Sequence, residues 1–519
     1  MSKWIALICL AGLAAAQDTT FQTGTRLVQM DVIVRNNAGA VKNLTQEDFT
    51  VEDKGKKMEI AFFEVNEVGK FATAPQPLPP GVASNRVNAA GEVHETATVV
   101  LYDKVNVPAA AQGFLRTQAL DLLASLKDGD HVGFYALGFG LQVVRDYDED
   151  AGPLARVAKV IKDGSSAASL PPAEQALLKS LNDALTPMQE LQNQPRVNIT
   201  YPAFRAIAHH LNGLHGRKNV LWLASTFPLT YGNSVERRTN DEKEMQSFID
   251  VLTAHSISLY PVDPGGAGQG LNTATSRNEE GTLMRTMATN QANSLTGNQG
   301  FRLVAEKTGG KAYFNTNAIA PALAEVIGLG AYSYTLGFYP PENTLDGKYH
   351  KLEVKLAKKP ETDKAQAVFP TEYLAWGGKN APPPILAPKI DEYIAEPIEA
   401  TGITLMGVAN PDQKRPGNTE MVVRVPVNEL RFETVGDKYV GAFELAVGLE
   451  GAQGAITETF NLNWAQEQYL GALKSGVDVG KSVETPGASG RFIVVVQDKA
   501  TGRAGSMRLP FQGAPAPAK

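Results

Sequence analysis

The chain has 519 residues, enough for about three domains at ~100–200 residues each, so a single small module is excluded. Hydrophobic residues make up 43% and charged residues 20%, with 48 Gly and 31 Pro, a globular, turn-rich composition that excludes coiled coil, collagen and wholesale disorder. Lys plus Arg number 49 against 55 Asp plus Glu, a formal charge of −6, so there is no global positive field and nucleic acid is not an expected partner.

Met1 to Gln17 carry one positive charge at Lys3, an apolar stretch from Trp4 to Leu13 and the small residues Ala14-Ala15-Ala16, the layout of a secretory signal peptide over 1–16. The stretch falls short of the ~20 residues of a spanning helix and no later segment comes close, so no stable membrane span is expected. Cys9, the only cysteine, falls inside the leader. The mature chain is then an exported one, periplasmic, cell-surface or extracellular, held by apolar cores without disulfides.

Residues 22–66 read as a β-extension: Leu27 to Val34 alternates, Asn36 to Gly39 turns, and Phe49 to Asp53 and Ile60 to Val65 are short strands. Residues 67–93, with Pro75, Pro77, Pro79, Pro80 and Gly81, read as a linker. From 94 to 358 the rhythm changes. Strands are predicted at Thr96–Tyr102, His131–Leu137, Asn219–Ala224, Ser256–Val262 and Lys311–Phe314. Helices are predicted at Ala109–Lys127, Pro172–Gln192, Pro202–Leu214, Asp241–His255, Phe301–Lys307 and Ile319–Leu329. Such alternation predicts an α/β fold with a mostly parallel sheet covered on both faces. A Gly-, Asn-, Thr- and Ser-rich loop interrupts it over 264–298, and Tyr332–Tyr339 with Tyr349–Leu356 reads as a β-pair closing the region. A second linker spans 359–387, a β-sandwich-like domain 388–512, and a disordered tail 513–519.

Four stretches, in this order, resemble the bacterial secreted VWFA-related family of the acidobacterial type: Val32 to Phe49, with its Leu44-Thr45-Gln46-Glu47-Asp48-Phe49 segment; Leu259-Tyr260-Pro261-Val262-Asp263; Leu303 to Gly310; and Tyr334 to Pro340. The resemblance covers about 25 to 360 and implies a von Willebrand factor A-like domain, a doubly wound α/β fold, preceded by a β-extension. It also implies where a metal-ion-dependent adhesion site would lie: an Asp-x-Ser-x-Ser motif after the first strand, a Thr before a later helix and an Asp after the fourth strand. Here Asp103 matches the first acid, but Val105 and Val107 stand where the serines belong. Thr200 fits the Thr role, Ala224-Ser225-Thr226 replaces the second acid, and Asn106 offers an oxygen out of register. Asp103, Asn106, Thr200 and Ser225 are thus the candidate metal residues of a degenerate site. One carboxylate with neutral helpers suits Mg²⁺ poorly, so no cofactor is the leading expectation and Mg²⁺ the alternative. In the plainer alternative, Asp103 caps the next turn and Thr200 caps a helix.

Other constellations are weaker. His209, His210 and His215 lack the i, i+4 spacing of a helical metal pair and read as a solvated helix end. Gly265 to Gly270 follows a strand but leads into polar sequence rather than a helix N-terminus, unlike a phosphate loop. There is no Gly-x-Ser-x-Gly, no His-Glu-x-x-His and no P-loop, so no catalytic residues are assigned. The sequence therefore predicts an exported, non-catalytic scaffold binding an unidentified protein partner through the loops Asp103–Pro108, 138–202 and Ser225–Asn233. The alternatives are a Mg²⁺-dependent adhesin, an exported hydrolase and a structural envelope module.

Overall fold

The computed structural model describes residues 27–36, 39–67, 78–86, 96–188, 195–214, 216–228, 235–264, 298–314, 319–330, 332–376, 388–452, 454–485 and 489–512. The expected leader over 1–16, the expected tail over 513–519, His215, the Gly265–Gly270 run and most of the 264–298 loop lie outside them. The fold is mixed α/β, with antiparallel β-structure before and after one largely parallel sheet. Among the described residues no helix is long and apolar enough to cross a membrane.

The apolar runs of the middle region form a five-stranded sheet in the order Ile257–Val262, Lys218–Leu223, Ala97–Asp103, Gly133–Leu137, Leu141–Arg145. The first four are mutually parallel and the last is antiparallel. All seven residues of Ala97–Asp103 are buried, which is why Val99-Val100-Leu101-Tyr102 within it is continuously apolar rather than alternating. Its helices are α1 (Ala109–Ala124), α2 (Gly152–Asp163), α3 (Pro172–Leu185), α4 (Val197–Leu211), α5 (Val235–Ala254), α6 (298–307) and α7 (Ile319–Gly330). Val99, Leu101, Tyr135, Leu137, Val220 and Trp222 pack with residues of α4, α5 and α6 in one core. Val100, Tyr102, Phe134, Ala136 and Leu221 pack with residues of α1, α2, α3 and α7 in another. Each fully buried large side chain contributes about 1.5–3 kcal/mol, so these two cores dominate the stability of this unit.

Two elements here are missing from the sequence-based prediction: α2 and the strand Leu141–Arg145. Yet α2 carries its signals, Pro153 in the first turn, Leu154, Val157 and Ala158 on the buried side, and Gly164 closing it at φ 64°. Helix α4 starts at Val197, five residues before Pro202, so Thr200 lies within its first turn instead of capping it.

The Tyr332–Phe338 and Tyr349–Leu356 strands do not pair with each other. Tyr332–Phe338 lies between Val28–Asn36 and Ile60–Glu67, and Tyr349–Leu356 lies between Phe49–Asp53 and Glu372–Leu374. The extension and the expected closing pair are therefore one two-sheet β-unit with its own core, Met30, Val32, Val34, Phe49, Val51, Tyr334, Leu336 and Phe338, and the α/β unit is inserted between its halves. Residues 359–387 are accordingly not only a linker, since Gln366–Val368 and Glu372–Leu374 are strands of this unit. Nor is 67–93, where Ala83–Ser84 joins Met406–Gly407.

The C-terminal region has two antiparallel sheets. One holds Ala83–Ser84, Met406–Pro411, Asn418–Val425 and Val477–Glu484; the other holds Glu433–Val435, Lys438–Leu449, Ala455–Ala465, Gly490–Asp498 and Ala504–Phe511. Alternate residues of both, Met421, Val423 and Val425 with Phe443, Leu445 and Val447, fill a shared core. This region docks on the end of α4. Thr401 donates its N–H to the His209 carbonyl at 3.1 Å and its hydroxyl to the His210 carbonyl at 2.6 Å, while the Gly213 N–H donates to the Thr401 hydroxyl at 2.8 Å.

His209 and His210 are thus not a solvated helix end: both are buried, at 3% and 7% exposure. His209 Nδ1 lies 2.8 Å from Glu396 Oε1. His210 Nδ1 lies 2.6 Å from the Glu399 carbonyl and Nε2 3.1 Å from Asp146 Oδ2. Both partners of His210 accept only, so both ring nitrogens carry protons and the ring is an imidazolium. Burial alone would lower its pKa, but the charge of and hydrogen bond to Asp146 outweigh it and raise the value to about 9.

Candidate functional site

In the α/β sheet the strand order reverses between Ala97–Asp103 and Lys218–Leu223, and the crevice beyond the carboxyl ends of such strands is where these sheets bind ligands. Three segments meet there. Asp103 ends its strand and leads into the Lys104–Pro108 loop, α4 contributes its first turn, and Ala224-Ser225-Thr226 follows Leu223.

The structure brings all four predicted site residues into one network. Asp103, 0% exposed, accepts the Val105 and Asn106 N–H groups on Oδ1, at 2.8 and 2.9 Å. Its Oδ2 accepts Asn106 Nδ2 at 2.7 Å and Trp222 Nε1 at 2.8 Å. Asn106 Nδ2 also donates to Thr200 Oγ1 at 2.8 Å. The Asn106 carbonyl accepts the Ser225 N–H at 3.1 Å, the Thr226 N–H at 2.9 Å and the Thr226 hydroxyl at 2.9 Å. Arg196 Nη1 donates to that same hydroxyl at 2.9 Å. Asp103 does cap the next turn, as the plainer alternative held, but it also ties that turn to two strands and, through Asn106, to a helix.

This chemistry does not fit a divalent cation. A hard metal needs free oxygen lone pairs, whereas each carboxylate oxygen here receives two N–H donors. The Asn106 amide cannot be turned round without facing its oxygen to the carboxylate. Two buried oxygens, Asn106 Oδ1 and Ser225 Oγ, have no hydrogen-bond partner among the described residues. Both are neutral, and they are a weak ligand pair by themselves. Among the described residues no group of three or more His, Cys, Asp or Glu is placed to hold a metal ion. Burial pushes the Asp103 pKa up, and the hydrogen bonds from Asn106, Trp222 and Val105 offset part of that rise.

Sequence reasoning missed Trp222 and Phe139. Trp222 is fully buried in the Lys218–Leu223 strand, and a buried indole N–H needs an acceptor, which was the available signal. Phe139 sits in the Gly138-Phe139-Gly140 turn and is 81% exposed. Because Gly133–Leu137 runs parallel to Ala97–Asp103, with Leu137 opposite Asp103, this turn leaves the sheet at the same edge. The Lys104 N–H donates to the Leu137 carbonyl at 2.9 Å, joining the turn to the Asp103 loop. Gly-Phe-Gly is an unusual way to expose an aromatic ring, and the signal lay in that tripeptide between two strands.

No family model matches the chain, and a search of curated proteins finds no match.

Proposed function

We propose that the protein is an exported, non-catalytic protein-binding scaffold built on a von Willebrand factor A-like, doubly wound α/β domain whose metal position is replaced by an internal hydrogen-bond network. The observation that carries this reading is the saturated Asp103 carboxylate at the strand-order reversal. Where such a site would offer an open acid to a metal, this one uses its acid to hold Lys104–Pro108, Trp222 and, through Asn106, Thr200 together. Phe139 and the surrounding loops then supply the contact surface, an exposed aromatic anchor above a rigid platform. The ordered sequence resemblance and the strand order support the family reading, and the leader-like first 16 residues support export.

One observation favours a second reading, the Mg²⁺-dependent adhesin: the unpartnered Asn106 Oδ1 and Ser225 Oγ face no other acceptor need. It requires Asp103 to release at least one pair of N–H donors. The test is capture of envelope and extracellular proteins by the immobilised chain, with EDTA or with Mg²⁺, comparing wild type and Phe139→Ser. A partner retained in EDTA and lost by Phe139→Ser supports the scaffold. A partner lost in EDTA and restored by Mg²⁺ supports the adhesin, and turnover of a peptide or ester substrate by the chain would overturn both.

A further inference from the structure

We infer that two copies of this chain pair through the strand Ala455–Ala465 of the C-terminal region, antiparallel and two-fold about Phe460. This strand is eleven residues long, roughly 37 Å at the usual rise per residue. It pairs with Lys438–Gly448 in eleven consecutive partners without a register shift, and among the described residues no strand pairs with its other side. Alternate residues therefore turn their N–H and C=O groups outward along its whole length. An edge of that kind is a template for another strand, and proteins normally blunt it with charge, proline, bulges or shortness.

The other edges of this molecule are blunted in those ways. Ala504–Phe511 carries Arg508 and Pro510, and Val477–Glu484 carries Asp478, Lys481 and Glu484. Ile60–Glu67 carries two glutamates and a register shift in its pairing, and Ile257–Val262 contains Pro261. Leu141–Arg145 is five residues long with a register shift, and the remaining described edge strands have two or three residues. Ala455–Ala465 alone among the described long edges has neither Lys, Arg or Pro nor a register shift, and its one charge, Glu458, is already paired with Lys481.

The sequence of the strand selects a second copy as the occupant. In a two-fold pairing about Phe460, Ile456 lies opposite Trp464 of the second copy and Glu458 opposite Leu462. On the other face Thr457 meets Asn463 and Thr459 meets Asn461. No like charges face each other, and the polar face is made of uncharged hydrogen-bonding pairs. The core side is complementary as well. Leu462 is buried and Phe460 and Trp464 are half-buried in the shared core, whereas Ile456, on the same face, is 49% exposed because the core runs out at that end. Two-fold pairing sets the well-covered end of one strand beside the uncovered end of the other, which burying Ile456 against Trp464 makes favourable.

The test is the mass of the full exported chain in solution by light scattering. Wild type is expected at twice the monomer mass. Thr459→Lys with Asn461→Lys places lysines opposite each other across the axis on an exposed face; it is expected to give a monomer with an unchanged melting curve. Mixing that variant with Thr459→Glu/Asn461→Glu is expected to restore the dimer as a heterodimer. Because Cys9 is the only native cysteine, Thr459→Cys mixed with Asn461→Cys is expected to form an intermolecular disulfide that neither variant forms alone. A monomeric wild type, a dimer that survives the double lysine change, or equal crosslinking by each cysteine variant alone would overturn the inference.

Discussion

Removing the Asp103 carboxylate tests whether it is a structural acceptor or a reserve metal ligand. In Asp103→Ala the N–H groups of Val105, Asn106 and Trp222 lose their acceptor, while Asn106 Nδ2 keeps Thr200 Oγ1. At ~1–3 kcal/mol for each buried donor left unpaired, offset by relief of a buried charge and by entry of a water, the net loss is about 3–5 kcal/mol. For a unit of this size that lowers the melting temperature by roughly 10 °C. Asp103→Asn keeps one oxygen for the two backbone N–H groups but turns an NH₂ toward Asn106 Nδ2 and Trp222 Nε1, and is expected to lose about half as much. The assay is calorimetric melting of the full chain, following the α/β transition, in EDTA and in millimolar Mg²⁺. The expectation is a large loss in both variants and no Mg²⁺ effect in wild type. A loss below ~1 kcal/mol in Asp103→Ala, less than the cost of even one orphaned donor, would refute the network argument. So would a Mg²⁺-dependent rise that Asp103→Ala abolishes.

The buried junction around His210 is expected to lose stability with alkaline pH. The His210 value is raised to about 9, so the imidazolium contributes fully below its unfolded value near 6.5 and is lost as pH rises through about 9, on the order of 3 kcal/mol. The neighbouring Asp148, raised to about 6 by burial and Asp146, titrates below that window, and Asp146 itself is held low by His210 despite its burial. The melting temperature of the full chain is expected to fall between pH 6.5 and 9, and His210→Gln to remove that part of the pH dependence. Gly213→Ala would place a Cβ 2.2 Å from the Thr401 carbonyl oxygen, so it is expected to destabilise the same junction by about 1–3 kcal/mol, read as a lower melting temperature. Phe139→Ser, at an 81% exposed side chain, is expected to change stability by no more than ~0.5 kcal/mol, which circular dichroism checks.

What the residues alone determined was local. Continuous apolar runs such as Val99 to Tyr102 specify buried parallel strands wherever they end up, because such a strand must hide both faces. The alternation at Met421, Val423 and Val425 specifies a half-buried one. The site was legible to the same extent: Asp103, Asn106, Thr200 and Ser225 were identifiable by matching the adhesion-site positions that the family resemblance implies. What they do to one another was not, because Trp222 reaches Asp103 from a strand 119 residues away and decides, with Asn106, that the acid is spent on N–H donors. The β-pair after α7 was misassigned for a related reason. A strand's sequence states that it pairs, not with which partner, and Tyr332–Phe338 found its partners 265 to 310 residues upstream, since neighbours in space rather than in sequence bury Tyr334 and Leu336. Only the tertiary structure turned a pair of histidines on a helix end into a buried junction, by setting Glu396, Glu399 and Asp146 around them. Pattern follows from the covalent order of apolar and polar side chains, whereas charge state, hydrogen-bond saturation and partner choice depend on which distant groups share the same few ångströms.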